Sequence, residues 1–429
     1  MTEAEKDRNY IWHPFTQMKT ADPPMHIVSG KDCTLYAADG TAYIDAISSW
    51  WVNIHGHANK YISDAITKQA AILEHVIFAG FTHTPAIELS GKLIEILGKP
   101  FAKIFFSDNG STAVEVAIKM ALQYWYNTGN KHKTQIIAFE NAYHGDTFGA
   151  MSAGDRNTFN APFQHHLFDV NHLPVPTEEN VDAVAAQFEQ LAEAGNVAAF
   201  IFEPLVQGSS GMLMHKAIHL DKLIAIAMEK NILCIADEVM TGFGRTGHNF
   251  AIDYLLLKPD IICLSKGITG GFMPLGVTAC SQKIYDAFYA DDNTKTFFHG
   301  HSYTANPLSC AAANASVELL LKDECKQNIE LICNSHFSFA NSIRHHDFVA
   351  AVRQQGTILA IELKTSENTS YFNSVKKEAY RFYLENGVLL RPLGNIIYIM
   401  PPYCITTAEL EKVYSVIEQS LTYLRDNIN

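Results

Sequence analysis

The chain has 429 residues, a formal net charge of −13, and a composition that is 48% hydrophobic and 18% charged. That is a globular composition, long enough for two or three domains, and its acidity argues against nucleic acid or an anionic membrane as a partner. Eight scattered cysteines without a C-x-x-C pair, a polar N-terminus and no run near the roughly 18 apolar residues of a membrane span together lead us to expect a reduced, cytoplasmic setting.

The N-terminal part reads as β-rich. Cys33–Ala37 and Ala42–Ala46 are apolar runs around the turn signal Asp39-Gly40. From about residue 60, helical patterns alternate with short apolar runs: Ile104–Ser107, Gln135–Glu140, Val197–Glu203, Ile232–Val239, Asp260–Ser265 and Gly276–Ala279. These runs are continuous rather than alternating, which fits strands buried on both faces. The intervals between them leave room for crossover helices, so an α/β fold with a mostly parallel central sheet is expected.

Ser111 to about Asn127 reads as a helix with Val114, Ala117, Ile118, Ala121, Leu122 and Trp125 on one stripe. Thr112 and Glu115 fit a capping box at its start. Further on, helices over about Tyr371–Glu385 and Ala408–Asn427 surround an expected strand pair, Val388–Arg391 and Ile396–Met400. There is no internal repeat and no low-complexity linker. The expected division is a large domain over 59–320 and a smaller α+β domain built from 1–58 and 321–429.

In open parallel sheets, ligands bind beyond the carboxyl ends of the strands, and three strand ends here carry chemistry. Asp237 ends one apolar run, where a carboxylate is costly without a partner; a pyridinium nitrogen would be one. Val239, two residues on, shares its side and would cover one face of a ring. Lys266 follows another apolar run and precedes a glycine, a setting that lowers an amine's pKa and makes it nucleophilic. Asp108-Asn109-Gly110-Ser111-Thr112 joins a strand to a helix start, a natural phosphate cradle. Tyr143 would stack on a ring opposite Val239, and Glu203 and Gln207 follow a neighbouring strand. Taken singly each has a plain reading: a loop cap, a surface lysine, an ordinary turn, a packing tyrosine. Together they describe a site for a phosphorylated pyridine aldehyde.

Two further patterns point elsewhere. Gly242-Phe-Gly244-Arg-Thr-Gly247 matches the dinucleotide fingerprint, but Asp237 and Glu238 would repel a pyrophosphate there. His55-Gly-His57 and His299-Gly-His301 have metal-like spacing, yet no Cys or carboxylate nearby completes a set, so no metal is expected.

With their surrounding residues these motifs resemble the class III aminotransferases, pyridoxal 5'-phosphate (PLP) enzymes of fold type I. Trp12-His-Pro-Phe-Thr-Gln-Met18, Ser48-Ser-Trp50-Trp51-Val-Asn-Ile-His-Gly56, Tyr143-His-Gly-Asp-Thr147 and Leu390-Arg391-Pro392 with Tyr398-Ile-Met-Pro-Pro-Tyr403 narrow the likeness. They resemble the branch that aminates 8-amino-7-oxononanoate to 7,8-diaminononanoate in biotin biosynthesis. The resemblance implies Lys266 as the Schiff-base lysine, Asp237 as the pyridinium partner and Tyr143 as a catalytic and stacking residue. Gly110 and Ser111 would hold the phosphate. It also implies a homodimer in which the loop Gly300-His301-Ser302 reaches the partner's cofactor and substrate. Phe15, Trp50 and Trp51 would wall the substrate channel, and Arg391 would pair with the substrate carboxylate. The amino donor implied is S-adenosyl-L-methionine. Phe15 stands where many users of that donor have Tyr, and some relatives with Phe use lysine, so both donors stay open.

Overall fold

The computed structural model describes residues 1–367 and 369–428, without the side chain of residue 428; Asn368 and Asn429, which fall in the expected 321–429 segment, lie outside the described residues. Near the N-terminus come β1 (Ile27–Lys31), β2 (Thr34–Ala37) and β3 (Ala42–Asp45), with β2 and β3 antiparallel around the Asp39-Gly40 turn. Gly40 takes the left-handed φ of +88° that this turn needs.

Next come β4 (Phe101–Ser107), β5 (Gln135–Phe139), β6 (Asn171–Leu173) and β7 (Val197–Phe202), then a short pair, β8 (Val206–Gln207) and β9 (Leu213–Met214). They are followed by β10 (Leu233–Asp237), β11 (Ile261–Leu264) and β12 (Gly276–Ser281). Among the described residues, seven strands build the main sheet in the order β4-β12-β11-β10-β7-β5-β6. Strands β11, β10, β7, β5 and β6 run parallel to one another, while β12 is antiparallel to both β11 and β4. The expected mostly parallel sheet is therefore present. Every residue of β7, β10, β11 and β12 is buried, which explains their unbroken apolar sequences. Each large side chain removed from water there, such as Phe200, Phe202 or Ile235, contributes about 1.5–3 kcal/mol.

Helix Gly110–Asn127 packs on β11 and β12, and helix Pro307–Leu320 packs on Lys60–Ala70 and Thr84–Leu97. The last strands are β13 (Val349–Gln355), β14 (Ile358–Leu363), β15 (Val388–Leu389) and β16 (Ile396–Ile399). Strand β15 pairs in parallel with β3, joining distant parts of the chain in a four-stranded sheet, β1-β2-β3-β15. A three-stranded sheet holds β13, β14 and β16.

Three expectations are corrected. The runs at 388–391 and 396–400 are not a strand pair: β15 joins β3 and β16 joins β14, with only a Leu393–Ile396 bridge between the two segments. Pro392 has no N–H to give to a ladder, and Gly394 at φ +65° turns the chain away. The capping box is real but lies three residues earlier. Asn109 accepts from the Thr112 N–H at 3.0 Å and Thr112 Oγ1 accepts from the Asn109 N–H at 3.1 Å. Glu115 instead accepts from the Gly149 N–H at 2.7 Å. The helix expected from Tyr371 starts at Val375, whose N–H donates to the Asn373 side chain at 3.2 Å.

Candidate active site

The carboxyl ends of β10 and β11 meet the start of helix Gly110–Asn127 around a cavity of about 450 Å³. Its walls include Gly110, Ser111, Tyr143, Asp237, Val239 and Lys266, residues from four separate stretches of sequence. Parallel register puts Asp237 opposite Cys263, three residues before Lys266, so one strand pair delivers both the carboxylate and the amine.

Asp237 is 5% exposed. Its Oδ1 accepts from the Val239 N–H at 3.1 Å, and its Oδ2 accepts from His144 Nδ1 at 2.7 Å. Burial works against charge on His144, but the hydrogen bond to Asp237 and the fields of Asp237 and Glu203 outweigh it and raise its pKa. Glu203 lines the same cavity, and its pKa is raised to about 7 chiefly by burial. It accepts from the Tyr143 N–H at 3.2 Å and the Gly208 N–H at 3.0 Å, so it fixes the tyrosine's backbone rather than bonding Asp237. Gln207 donates to Glu140 O at 3.0 Å and is not among the cavity-lining residues.

Lys266 sits at φ +47°, just past the end of β11, with its Nζ 4.6 Å from the centre of the Trp51 ring. Burial lowers its pKa to about 8, with Arg245 acting in the same direction and Asp237 and Glu203 opposing. Near neutrality a useful fraction of such an amine is unprotonated.

At the opposite wall, helix geometry leaves the first N–H groups, those of Gly110 and Ser111, without an intrahelical acceptor. Together with the positive end of the helix dipole they form an anion cradle. Two glycines are required by close approach. A Cβ at Gly110 would lie 2.5 Å from Val239 Cγ1, and one at Gly145 (φ +129°) would lie 2.1 Å from Ser111 Oγ. A phosphate cradle, a buried carboxylate and a low-pKa amine around one cavity fit the phosphate, ring nitrogen and aldehyde of PLP. Val239 and Tyr143, both in the wall, suit the two ring faces.

Trp51 lines the cavity and donates from Nε1 to the Tyr398 hydroxyl at 3.0 Å. Beside it, Trp50 has the Arg391 guanidinium 4.7 Å from its ring centre and Phe15 edge-on at 5.5 Å. The two tryptophans lie in a run of left-handed residues: Ser48 (φ 52°), Ser49 (φ 44°), Trp50 (φ 71°) and Trp51 (φ 75°). Residues with a Cβ resist this conformation by about 1–2 kcal/mol each.

Thus Lys266, Asp237, Tyr143, Gly110, Ser111, Val239 and Trp51 come together, and Phe15, Trp50 and Arg391 cluster next to them. Gly300, His301 and Ser302 do not line the cavity within one chain. The histidine pairs have other partners: His55 Nε2 bonds Ser316 O at 2.9 Å, His57 Nε2 bonds Asp45 at 2.9 Å, and His299 Nδ1 bonds Lys119 Nζ at 2.9 Å. No group of metal-ligating side chains occurs among the described residues.

Sequence reasoning passed over two residues. His144 was adjacent to a named tyrosine, and the search for a partner for buried Asp237 was the signal that would have found it. Arg245 lies inside the glycine-rich segment Gly242-Phe-Gly244-Arg-Thr-Gly247. It is 1% exposed, donating to Pro401 O at 2.8 Å and Trp51 O at 3.1 Å, with its guanidinium over the Tyr403 ring.

The sequence model of the class-III aminotransferase family matches residues 16–421. A protein of Synechococcus elongatus named adenosylmethionine-8-amino-7-oxononanoate aminotransferase is 50% identical over 96% of this chain and 98% of its own length. One of the same name from Geobacter sulfurreducens is 40% identical over 97% of this chain and 96% of its own. Among solved structures, an aminotransferase of that name from Methanocaldococcus jannaschii matches with a TM-score of 0.92 and 36% identity over 97% of this chain and 98% of the other. An omega transaminase from Pseudomonas jessenii in complex with PMP matches with a TM-score of 0.94 and 25% identity over 100% and 99%.

Proposed function

The chain belongs to the class III aminotransferase family, with pyridoxal 5'-phosphate as its cofactor, and from that premise we propose that it converts 8-amino-7-oxononanoate to 7,8-diaminononanoate for biotin biosynthesis. The observation that carries the reading is the pairing of Asp237 and Lys266 across one cavity, beside a helix start and next to the Trp50–Arg391 cluster. The names and the near full-length coverage of the relatives support the substrate.

Bound PLP supplies an aldehyde that carries the amino group and a ring that takes up the electron pair left on the donor carbon. Lys266 Nζ would hold that aldehyde at rest. Freed by the donor amine, Nζ would be the base that moves a proton from the donor carbon to the cofactor's C4′ carbon, and in the second half-reaction would move one the opposite way, from C4′ to the carbon that receives the amino group, work suited to a pKa of about 8. Asp237 would keep a proton on the ring nitrogen, and His144 holds the carboxylate in place by its bond to Oδ2. The N–H groups of Gly110 and Ser111, with the Ser111 hydroxyl, would hold the phosphate. Val239 and Tyr143 enclose the ring. Arg391 receives the substrate carboxylate in a bidentate pair, and Phe15, Trp50 and Trp51 wall the aliphatic chain.

The donor is S-adenosyl-L-methionine in this proposal. Lysine is the second reading, favoured by Phe15 packing its bare ring edge on Trp50 with no hydroxyl to offer. Each donor supplied with 8-amino-7-oxononanoate, with the diamine followed by mass spectrometry, separates them. No diamine from either donor would overturn the proposed reaction.

We further propose a homodimer in which Gly300, His301 and Ser302 reach the partner's site. The exposed Phe298 and Tyr303 beside that loop, with Ile72, Ile77 and Phe81, support it. The division into 1–58, 59–320 and 321–429 is likewise proposed, supported by the β3–β15 pairing. A cytoplasmic location is proposed from eight free cysteines, and no helix among the described residues is long and apolar enough to cross a membrane.

A further inference from the structure

The left-handed run Ser48–Trp51 is held from one buried carboxylate. Asp45, at the end of β3, has no exposed surface. Its Oδ1 accepts from the N–H groups of Ile47 at 3.3 Å and Ser49 at 3.0 Å. Its Oδ2 accepts from the Ser49 hydroxyl at 2.7 Å and from His57 Nε2 at 2.9 Å. His57 is oriented in turn, since its Nδ1 accepts from the Asn53 side-chain amide at 2.9 Å. Two of these four donors belong to Ser49 inside the run, one to Ile47 just before it and one to His57 beyond it. Both ends of the run are also fixed independently: Ser48 Oγ donates to Met400 O at 2.8 Å and Arg245 donates to Trp51 O at 3.1 Å.

None of Asp45, Ser49, Asn53 and His57 is among the residues that line the cavity. The effect of this arrangement is on the direction of two side chains. A run that relaxed to right-handed or extended backbone would swing the Trp50 ring off Arg391 and the Trp51 ring off Lys266. A left-handed segment of residues with side chains persists only when its surroundings over-determine it, and here four hydrogen bonds to one carboxylate do so.

We propose that Asp45 is a positioning residue for substrate recognition: its carboxylate, oriented by His57, locks Ser48–Trp51 left-handed and so sets Trp50 against Arg391 and Trp51 beside Lys266. This rests on the reading of Trp50 and Arg391 as substrate groups. In Asp45→Asn one side of the side chain becomes a donor facing other donors, so half of the lock is lost while the volume is kept.

The test compares Asp45→Asn, Asp45→Asn with Ser49→Gly, and Arg391→Ala as a reference. Asp45→Asn is expected to raise KM for 8-amino-7-oxononanoate about tenfold with kcat within about threefold. It is also expected to alter the near-ultraviolet circular dichroism of the cofactor-free protein, which reports the tryptophan setting. Adding Ser49→Gly, a residue that accepts left-handed backbone freely, is expected to recover most of both signals. A lower melting temperature with unchanged KM and unchanged dichroism would mean a purely structural role and overturn the proposal, as would failure of the glycine to recover either signal. If Asp45→Asn does not fold, Ser49→Ala removes one of the four bonds and is expected to raise KM about two- to threefold; an unchanged KM there overturns it. A raised KM in Arg391→Ala but not in Asp45→Asn sinks this inference alone. If wild-type protein fails to turn over the substrate, the functional reading fails, and the dichroism arm still decides what Asp45 positions.

Discussion

His144 Nδ1 lies 2.7 Å from Asp237 Oδ2, and both side chains are buried at the carboxyl end of the central sheet. A carboxylate in that position needs every partner it has. His144→Ala leaves Oδ2 facing a void, a loss of about 1–3 kcal/mol. The expected result is PLP affinity lower by roughly 10- to 100-fold, with the fold retained. Titration of the cofactor-free variant with PLP measures it, and wild-type affinity would show that Asp237 does not depend on its histidine.

Lys266 makes a prediction about stability as well as rate. Its amine has a pKa of about 8 in the folded protein against 10.5 for an ordinary lysine. Between those values the unfolded chain carries a proton that the folded one lacks, so stability rises with pH across the window. Below pH 8 both states are charged and the full penalty of burying the ammonium applies, at most about 3 kcal/mol. Cofactor-free Lys266→Met should therefore melt higher than wild type at pH 7, with the gap closing as pH approaches 10.5. The same variant should have no transaminase activity. Retained turnover would remove Lys266 from the mechanism.

Gly145→Ala tests the cradle. The added Cβ would stand 2.1 Å from Ser111 Oγ on backbone at φ +129°, so either the Tyr143–Asp146 loop or the helix start has to move. Overpacking of this kind costs about 1–3 kcal/mol. The phosphate end of the cofactor should feel it first. Binding of PLP is expected to weaken more than binding of pyridoxal, its phosphate-free counterpart, and equal weakening of both would argue against the cradle.

Arg391→Lys keeps the charge and loses the planar fork that pairs with a carboxylate. We expect KM for 8-amino-7-oxononanoate to rise about tenfold while kcat changes little. An unchanged KM would place the substrate carboxylate elsewhere.

Arg245→Met should destabilise the protein, because the Trp51 and Pro401 carbonyls each lose a buried donor, at about 1–3 kcal/mol apiece. Urea unfolding of the cofactor-free protein measures this. With a neighbouring cation gone, the Lys266 pKa should rise as well, moving the acid limb of the rate profile to higher pH.

Much of the large sheet was legible because β7, β10, β11 and β12 are buried along their whole length and so read as unbroken apolar runs. Asp237 and Lys266 were legible because charged groups at the ends of such runs call for partners. Local competition hid other features. The expected cap, Thr112, gave way to Asn109, a residue type that caps at least as well three residues earlier. Long-range pairing hid more. That β15 would join β3, and β16 would join β14, depends on strands far apart in sequence. Arg245 escaped for the same reason, since its acceptors, Trp51 O and Pro401 O, come from opposite ends of the chain.

The bonds of Ser48 and Trp51 to Met400 and Tyr398 have a consequence for biosynthesis on the ribosome. The tryptophan-bearing turn leans on Met400 and Tyr398, residues synthesised long after it. A nascent chain released before the last strands emerge lacks Met400 O and the Tyr398 hydroxyl, the acceptors that Ser48 and Trp51 use. On the reading of Trp50 and Trp51 as substrate groups, that wall of the channel is therefore the last part of the site to be completed.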